Sequence, residues 1–326
     1  MSGFSRRDFL GRAARAGATV AAAGAAGILL HEEATLGAKK PQRQEGRALD
    51  YRAKAAGPKL AIATGPQRAA SARAAVEALG GMGRFVAKGE RVLVKVNAGF
   101  ARPAWAGATA HPDVVSEVVK LCLAAGAAEV VVTDNPVNDA ASCFDVTGIR
   151  AAVESSGGRV AIPKTDDFRD HTVPDGLVLR DWPVLLGPLD GMDRVIGLCP
   201  AKDHGLSRAT LTVKNWYGLL GGRRNTLHQR IHDTIRDLAL LVRPTLVILD
   251  GTTPMLRNGP TGGSVSDLGT RDTVVAGTDP VAVDAFGATL LGLTGRDLPG
   301  LAPAAAAGAG TLDWESLKPV RVKAGS

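Results

Sequence analysis

Cysteine is scarce in this 326-residue chain, which has only Cys122, Cys143 and Cys199 and no Cys-x-x-Cys pair. No iron–sulfur cluster is expected from that spacing, and no thiolate zinc site. An oxidising compartment would allow one disulfide, but the spacing does not select a pair. Cys122 falls in an apolar helical pattern and reads as core. Aromatic residues make up only 4% of the chain, which disfavours a strong protein interface built on Trp and Tyr anchors. The formal net charge is +7, yet no Lys/Arg block carries interleaved aromatics, so nucleic acid is not an expected partner. There is no repeat of 20–50 residues, and neither a Walker ending nor a Rossmann glycine spacing occurs.

Two arginines near the start are the most specific feature present. Ser5-Arg6-Arg7-Asp8-Phe9-Leu10 precedes an apolar, Ala/Gly-rich run from Ala16 to Leu30. That run is short of the roughly 20 residues a stable membrane span needs. Paired arginines before such a run read as a twin-arginine signal peptide over residues 1–38, with the twin-arginine translocase as partner during export. The protein is then expected to act outside the cytoplasm, in the periplasm or its equivalent. Leu36 is a poor fit to a cleavage site at Ala38, so an uncleaved N-terminal tether stays open. Residues 39–57 read as a basic, polar linker, 58–301 as the folded domain and 302–326 as a C-terminal tail. Removing the four arginines and three acidic residues of the first 38 leaves about +6.

Within 58–301, short apolar runs alternate with helical patterns. Strands are predicted at 92–97, 129–133, 159–162, 195–199, 210–213, 245–249 and 273–276. Helices are predicted over 111–125, 144–156, 227–242 and from Asp279-Pro280 to Leu291, the last with Asp as N-cap and Pro at the first helical position. This alternation predicts an α/β fold: a largely parallel open sheet with helices on both faces. An Asp/Pro/Gly-rich insertion near 163–194 breaks the rhythm.

Several of these strands end in polar residues, and ligands of open parallel sheets bind beyond the carboxyl ends of the strands. The ends supply Lys95 and Asn97, Asp134, Lys202 and His204, Lys214 and Asn215, and Asp250. Lys95 sits inside an otherwise apolar strand, where an unpaired ammonium is costly. It is expected to meet Asp134, Asp250 or an anionic ligand. After Lys214-Asn215 comes a glycine-bearing loop, Gly221-Gly222-Arg223-Arg224, leading to a helix start at His228. Backbone N–H groups there, with positive charge from Arg223 and Arg224, suit a phosphate or carboxylate. His228 and His232 are four apart on a predicted helix and could share a metal ion, although Gln229 stands where the zincin motif needs its glutamate. In the resulting assignment, His228, His204, Lys214 and Asp250 move or orient protons. Lys95, Asn97, Asp134, Lys202, Asn215, Gly221, Gly222 and Arg223 bind the ligand. The cofactor is left open, with a metal ion as one option.

As an ordered set, Lys95-Val-Asn97, Thr109-x-His111-Pro112, Lys214-Asn215 with Gly218, His228, Asp250-Gly251, Asn258-Gly259-Pro260 and Asp279-Pro280-Val281-Ala282-Val283-Asp284 resemble the family of domain of unknown function 362 over roughly residues 58–293. Many members of that family carry ferredoxin-like cysteine clusters in a further segment, which this chain lacks. A shorter resemblance, a Gly-Gly and Lys stretch before a His, is to the nickel-pincer lactate racemase group and implies a small hydroxy-acid or carboxylate substrate. Three functions follow: an exported enzyme acting on a small anion, a non-catalytic carrier or sensor of an anion or metal, and an interaction subunit of an exported complex.

Overall fold

The computed structural model describes residues 46–325 apart from residue 55. The arginine pair, the apolar run and the signal boundary lie outside the described residues, as do residues 39–45 of the linker. Nine strands form one sheet. In chain order they are β1 (Leu60–Thr64), β2 (Arg91–Lys95), β3 (Glu129–Thr133), β4 (Arg159–Val160), β5 (Arg194–His204), β6 (Arg208–Thr210), β7 (Leu246–Met255), β8 (Thr273–Gly277) and β9 (Val320–Lys323). The helices that cover the sheet are α1 (Arg68–Ala78), α2 (Pro112–Ala124), α3 (Ala140–Val146), α4 (Ile149–Ser155), α5 (Thr212–Asn215), α6 (Ile231–Leu241) and α7 (Pro280–Leu290).

The spatial order is β9-β1-β8-β7-β5-β2-β3-β4, with β6 paired to β5. Along this path only β8 runs against its neighbours, β7 and β1. The other pairings are parallel. The expected parallel α/β sheet is therefore present, with helices on both faces. Side chains sort by the two-residue period of the strands. Val92, Val94, Ile196, Leu198, Ile248 and Val274 pack with α1, α2 and α4. Leu93, Val195, Cys199, Val247, Leu249 and Val275 pack with α6 and α7. Both faces are buried, which is why these strands are near-continuous apolar runs. All three cysteines are buried and free.

Some boundaries depart from the sequence reading. The single helix expected over 144–156 is two helices, because Gly148 turns left-handed at φ 76° between them. Of the expected strand 210–213 only Thr210 stays in a strand, and residues 212–215 are helical. The cause is Asp284 on α7. Its carboxylate accepts the backbone N–H groups of Thr212 (2.7 Å) and Val213 (3.0 Å) and the Thr212 hydroxyl (2.5 Å). A carboxylate at a helix start satisfies donors that have no partner within the helix, and here tertiary contact overrides β propensity. The stretch read as linker is partly docked: Leu49–Asp50 pairs in parallel with Val242–Arg243. The stretch read as tail supplies β9, an edge strand parallel to β1.

The irregular segment near 163–194 is a hairpin of Phe168–His171 and Trp182–Leu185. Its connecting turn is clamped by buried Asp237 of α6, which accepts backbone N–H groups from Leu177, Val178 and Leu179. Replacing Asp237 with Ala would leave three backbone donors without their acceptor, that of Leu179 buried. A urea titration should then show a loss of about 3 kcal/mol. Asp284→Ala should cost a similar about 3 kcal/mol, and Asp284→Asn, which keeps one acceptor oxygen, less.

Candidate functional site

The strands end in a cleft with a cavity of about 120 Å³. This is below the roughly 300–1,000 Å³ of pockets for drug-sized ligands. Its floor is a buried ion pair. Lys95, at the end of β2, reaches Asp134, just past β3, at 2.8 Å. Each partner is otherwise satisfied. Lys95 Nζ donates to the Asn215 side-chain oxygen at 3.0 Å and to the Asn215 backbone carbonyl. Asp134 accepts the Ala98 and Asn135 backbone N–H groups. Burial pulls the Lys95 ammonium below the usual lysine range, and Asp134 opposes that shift. The turn after α5 crosses this pair closely: a Cβ on Gly218 would lie 1.9 Å from Asp134 Oδ1 and 2.5 Å from Lys95 Nζ. Only glycine fits there.

Above the floor, two more lysines enter a space with no other carboxylate in its lining. Lys202, near the end of β5, donates to Asn97 Oδ1 at 3.0 Å and to the Ala108 carbonyl. Its Nζ sits 5.3 Å from the Phe100 ring centre. Burial lowers it to about 8. Lys214, on α5, has its Nζ 5.4 Å from the Tyr217 ring centre. It makes no hydrogen bond or ion pair among the described residues, although the residue is only 9% exposed. Burial, then Lys202 and Lys95, bring it down to about 7. Arg224 adds charge and spends its N–H groups on the Asn135, Pro136 and Leu220 carbonyls. The Thr210 hydroxyl, buried in the cleft lining, has no hydrogen-bond partner among the described residues.

Two histidines complete the cleft. Their rings stack at 6.1 Å and 11°. Nδ1 of His204 accepts the Leu206 and Ser207 N–H groups at 3.3 and 3.4 Å, which leaves its proton on Nε2. Burial, Lys214 and His228 drive its pKa down to about 3, so the ring is neutral. Tyr217 donates its hydroxyl to the Arg224 carbonyl. It therefore receives, rather than gives, the proton between it and His228 Nδ1, 3.0 Å away. This puts the His228 lone pair on Nε2. Burial and Lys214 also lower His228, against a backbone hydrogen bond to Asn225. The cleft thus presents one imidazole N–H and one basic imidazole nitrogen side by side.

Of the residues read from the sequence, Lys95, Asn97, Asp134, Lys202, His204, Lys214, Asn215 and His228 line this cavity. The others do not. Asp250 lies on the sheet face covered by α1, where Arg68 holds it at 2.9 Å. Gly221 and Gly222 form no ligand nest. Gly221 donates to the Pro183 carbonyl and accepts the Trp182 indole N–H, which docks the hairpin. Arg223 is exposed, and its neighbour Arg224 faces the cleft instead. His228 and His232 do not share an α-helix. His228 lies in a 3₁₀ segment, Arg224–Arg230, broken from α6 at Arg230 (φ −126°, ψ 42°), and His232 is exposed. Among the described residues no group of three or more His, Cys, Asp or Glu could hold a metal ion. Residues of the lining that the sequence reading did not assign to the site are Tyr217, Phe100 and Thr210. Tyr217 stands three residues after Lys214, and that proximity could have flagged it.

The glycine-bearing loop at Asn258-Gly259-Pro260 reaches the cleft through Pro260. It is seated on the β5–β6 hairpin, where Gly259 N–H donates to Asp203 and its Cα is pressed so close to the Asp203 carbonyl that a Cβ would sit 1.9 Å away. A larger cavity of about 430 Å³ lies at the opposite ends of the parallel strands. Its carboxylate, Asp279, is committed to capping α7 and to the Thr311 N–H. No described helix is long and apolar enough to cross a membrane.

The chain is similar to several known proteins. A thylakoid-associated protein of Synechocystis sp. is 28% identical over 246 residues, covering 72% of this chain and 73% of that protein. Among solved structures, the lactate racemase apoprotein of Thermoanaerobacterium thermosaccharolyticum aligns at 11% identity and a TM-score of 0.38. The alignment covers 73% of this chain and 57% of the racemase. A protein of Thermotoga maritima aligns at 9% identity and 0.38, covering 74% of this chain and 60% of its own length. The chain thus spans under two thirds of either solved structure. The model of the domain of unknown function DUF362 matches residues 92–289, from the strand that bears Lys95 through α7 with Asp284, and the chain belongs to that family.

Proposed function

We propose that the chain is an exported enzyme that binds a small carboxylate-class anion at the strand carboxyl ends and moves a proton on it. The observation that carries the reading is Lys214, a buried lysine facing the cleft with no hydrogen-bonding partner beside Lys95, Lys202 and Arg224. The only carboxylate in the lining, Asp134, is spent on Lys95. A buried charge without a counter-charge is costly, and an anionic ligand supplies that charge. In the assignment, Lys202 and Arg224 hold the carboxylate, and Asn97 and Thr210 orient its polar groups. His204 serves as a hydrogen-bond donor through Nε2–H and His228 as base. The histidine pair favours an enzyme over a carrier, because binding alone does not need an N–H donor next to a basic nitrogen. A divalent cation fits the lining poorly, since Lys202, Lys214 and Arg224 surround the two imidazoles and would repel it. Export rests on the arginine pair and apolar run of the first 30 residues. Fractionation of cells making the full chain, with Arg6 and Arg7 changed to Lys as control, tests it.

Binding is measured first with propionate, lactate and inorganic phosphate by calorimetry. Lys202→Met should weaken the preferred anion about tenfold or more, the loss of one charge-assisted contact of about 1.5–3 kcal/mol. His228→Ala should leave affinity within a few-fold while abolishing turnover. Unchanged affinity in Lys202→Met would overturn the site. The pH dependence follows from the lysines. An anion favours their protonated forms, and in the free protein these are lost as pH rises through about 7 for Lys214 and about 8 for Lys202. Affinity should therefore fall above pH 7 and again above pH 8, and binding at pH 8 should take up protons, seen as a dependence of calorimetric heat on the buffer.

A further inference from the structure

Resting on that reading, we propose that Lys214 is a nucleophile that condenses with the carbonyl of a small 2-oxo carboxylate to form an imine. The geometry sets Lys214 apart from its neighbours. Lys95 is locked by Asp134 and Asn215, and Lys202 by Asn97 and Ala108. Lys214 is buried at 9% exposure against 1% for the other two, opens on the same cavity, and has the Tyr217 ring face beside it in place of a hydrogen-bond or ion-pair partner among the described residues. An ammonium with three donors and no acceptor is in a poor setting as a structural charge. An amine with a free lone pair is in a good one as a nucleophile, because a desolvated lysine next to other cations is the usual way to activate that group. Its fall to about 7 agrees. At pH 7 its neutral fraction is about a thousandfold that of an ordinary lysine.

The surrounding groups match the steps. The neutral amine attacks the carbonyl carbon, forming a C–N bond while the carbonyl electron pair moves to oxygen. His204 Nε2–H donates a hydrogen bond to that oxygen, while His228 Nε2 takes a proton from the nitrogen and passes it to the oxygen, leaving a carbinolamine. The carbinolamine's remaining N–H proton then passes through His228 to the hydroxyl, which leaves as water as the nitrogen lone pair closes the C=N bond. One amine and one carbonyl yield one imine and one water, with no change in oxidation state. Lys202 and Arg224 would hold the carboxylate while Lys214 is neutral. The two lysines therefore have different tasks, and the window between about 7 and about 8 keeps Lys202 charged and Lys214 not.

The test uses the full chain at pH 7.5 with pyruvate as probe and sodium cyanoborohydride to trap the imine. Intact mass and peptide mapping then follow. The expected result is a single reduced pyruvate adduct on Lys214, at least about tenfold above any other lysine, and absent in Lys214→Arg, which keeps the charge but cannot condense. Mapping the unchanged protein locates the adduct even if the variant folds poorly. Adducts scattered over exposed lysines, or none at all, overturn the proposal. Propionate, which has the carboxylate but no carbonyl, separates this failure from that of the parent reading. If propionate binds in the cleft yet pyruvate leaves no Lys214 adduct, anion binding stands and the nucleophile falls. If neither propionate, lactate nor phosphate binds and no adduct forms, both fall.

Discussion

A lysine and an aspartate buried together at the centre of the sheet edge decide what the rest of the cleft can be. Lys95 and Asp134 come from adjacent parallel strands. Taking two charges out of water is costly, and such a pair survives only with good geometry and with its remaining hydrogen bonds made. Here Asn215 and the backbone of residues 98 and 135 make them. The arrangement has two consequences. The chain that returns over the pair must do so at a residue with no side chain, Gly218. The cleft also consumes its own carboxylate, so the cations above it have no counter-charge in the lining and the space is electropositive by construction.

That electropositive space then acts on everything placed in it. The two imidazoles are held neutral by burial and by Lys214, and the hydrogen bonds to their Nδ1 atoms decide which one presents a proton and which a lone pair. The geometry that brings them together is unusual in a parallel sheet. Strand β5 runs past the sheet edge, turns back through β6 and drops into a helix of only four residues. Lys214 and Asn215 therefore reach the strand ends from a fold-back rather than from a strand of their own. Asp284 on α7, nearly seventy residues on, fixes where that helix starts.

Much of this could be read from the residues alone, because charged groups inside apolar strands carry a strong signal. Lys95, Asp134 and Lys202 stand out against valines and leucines, and the alternation that predicted a parallel sheet also predicted which ends would meet. What could not be read was set by contacts distant in sequence. Asp250 has the same local setting as Asp134, yet it faces α1 and is taken by Arg68. Arg223 and Arg224 are indistinguishable by type, and only the fold of the 3₁₀ segment turns the second inward. The pairing of His228 with His232 assumed an unbroken helix, and the break at Arg230 removed that premise. The strand expected at 210–213 had β-forming residues but lost them to a carboxylate elsewhere in the chain.

The edge strand β9 bears on how the protein is made. Val320 pairs with Ala61 across about 260 residues of chain, and β1 in turn pairs with β8. One margin of the sheet is therefore built from the first and last strands of the domain, with the interior strands between them in sequence. A ribosome will have released the cleft-bearing strands well before β9 emerges. Until then β1 presents an open, largely alanine and isoleucine edge that can pair with another chain. The exposure of that edge during synthesis, rather than the strength of the finished core, sets when this chain most needs protection from aggregation.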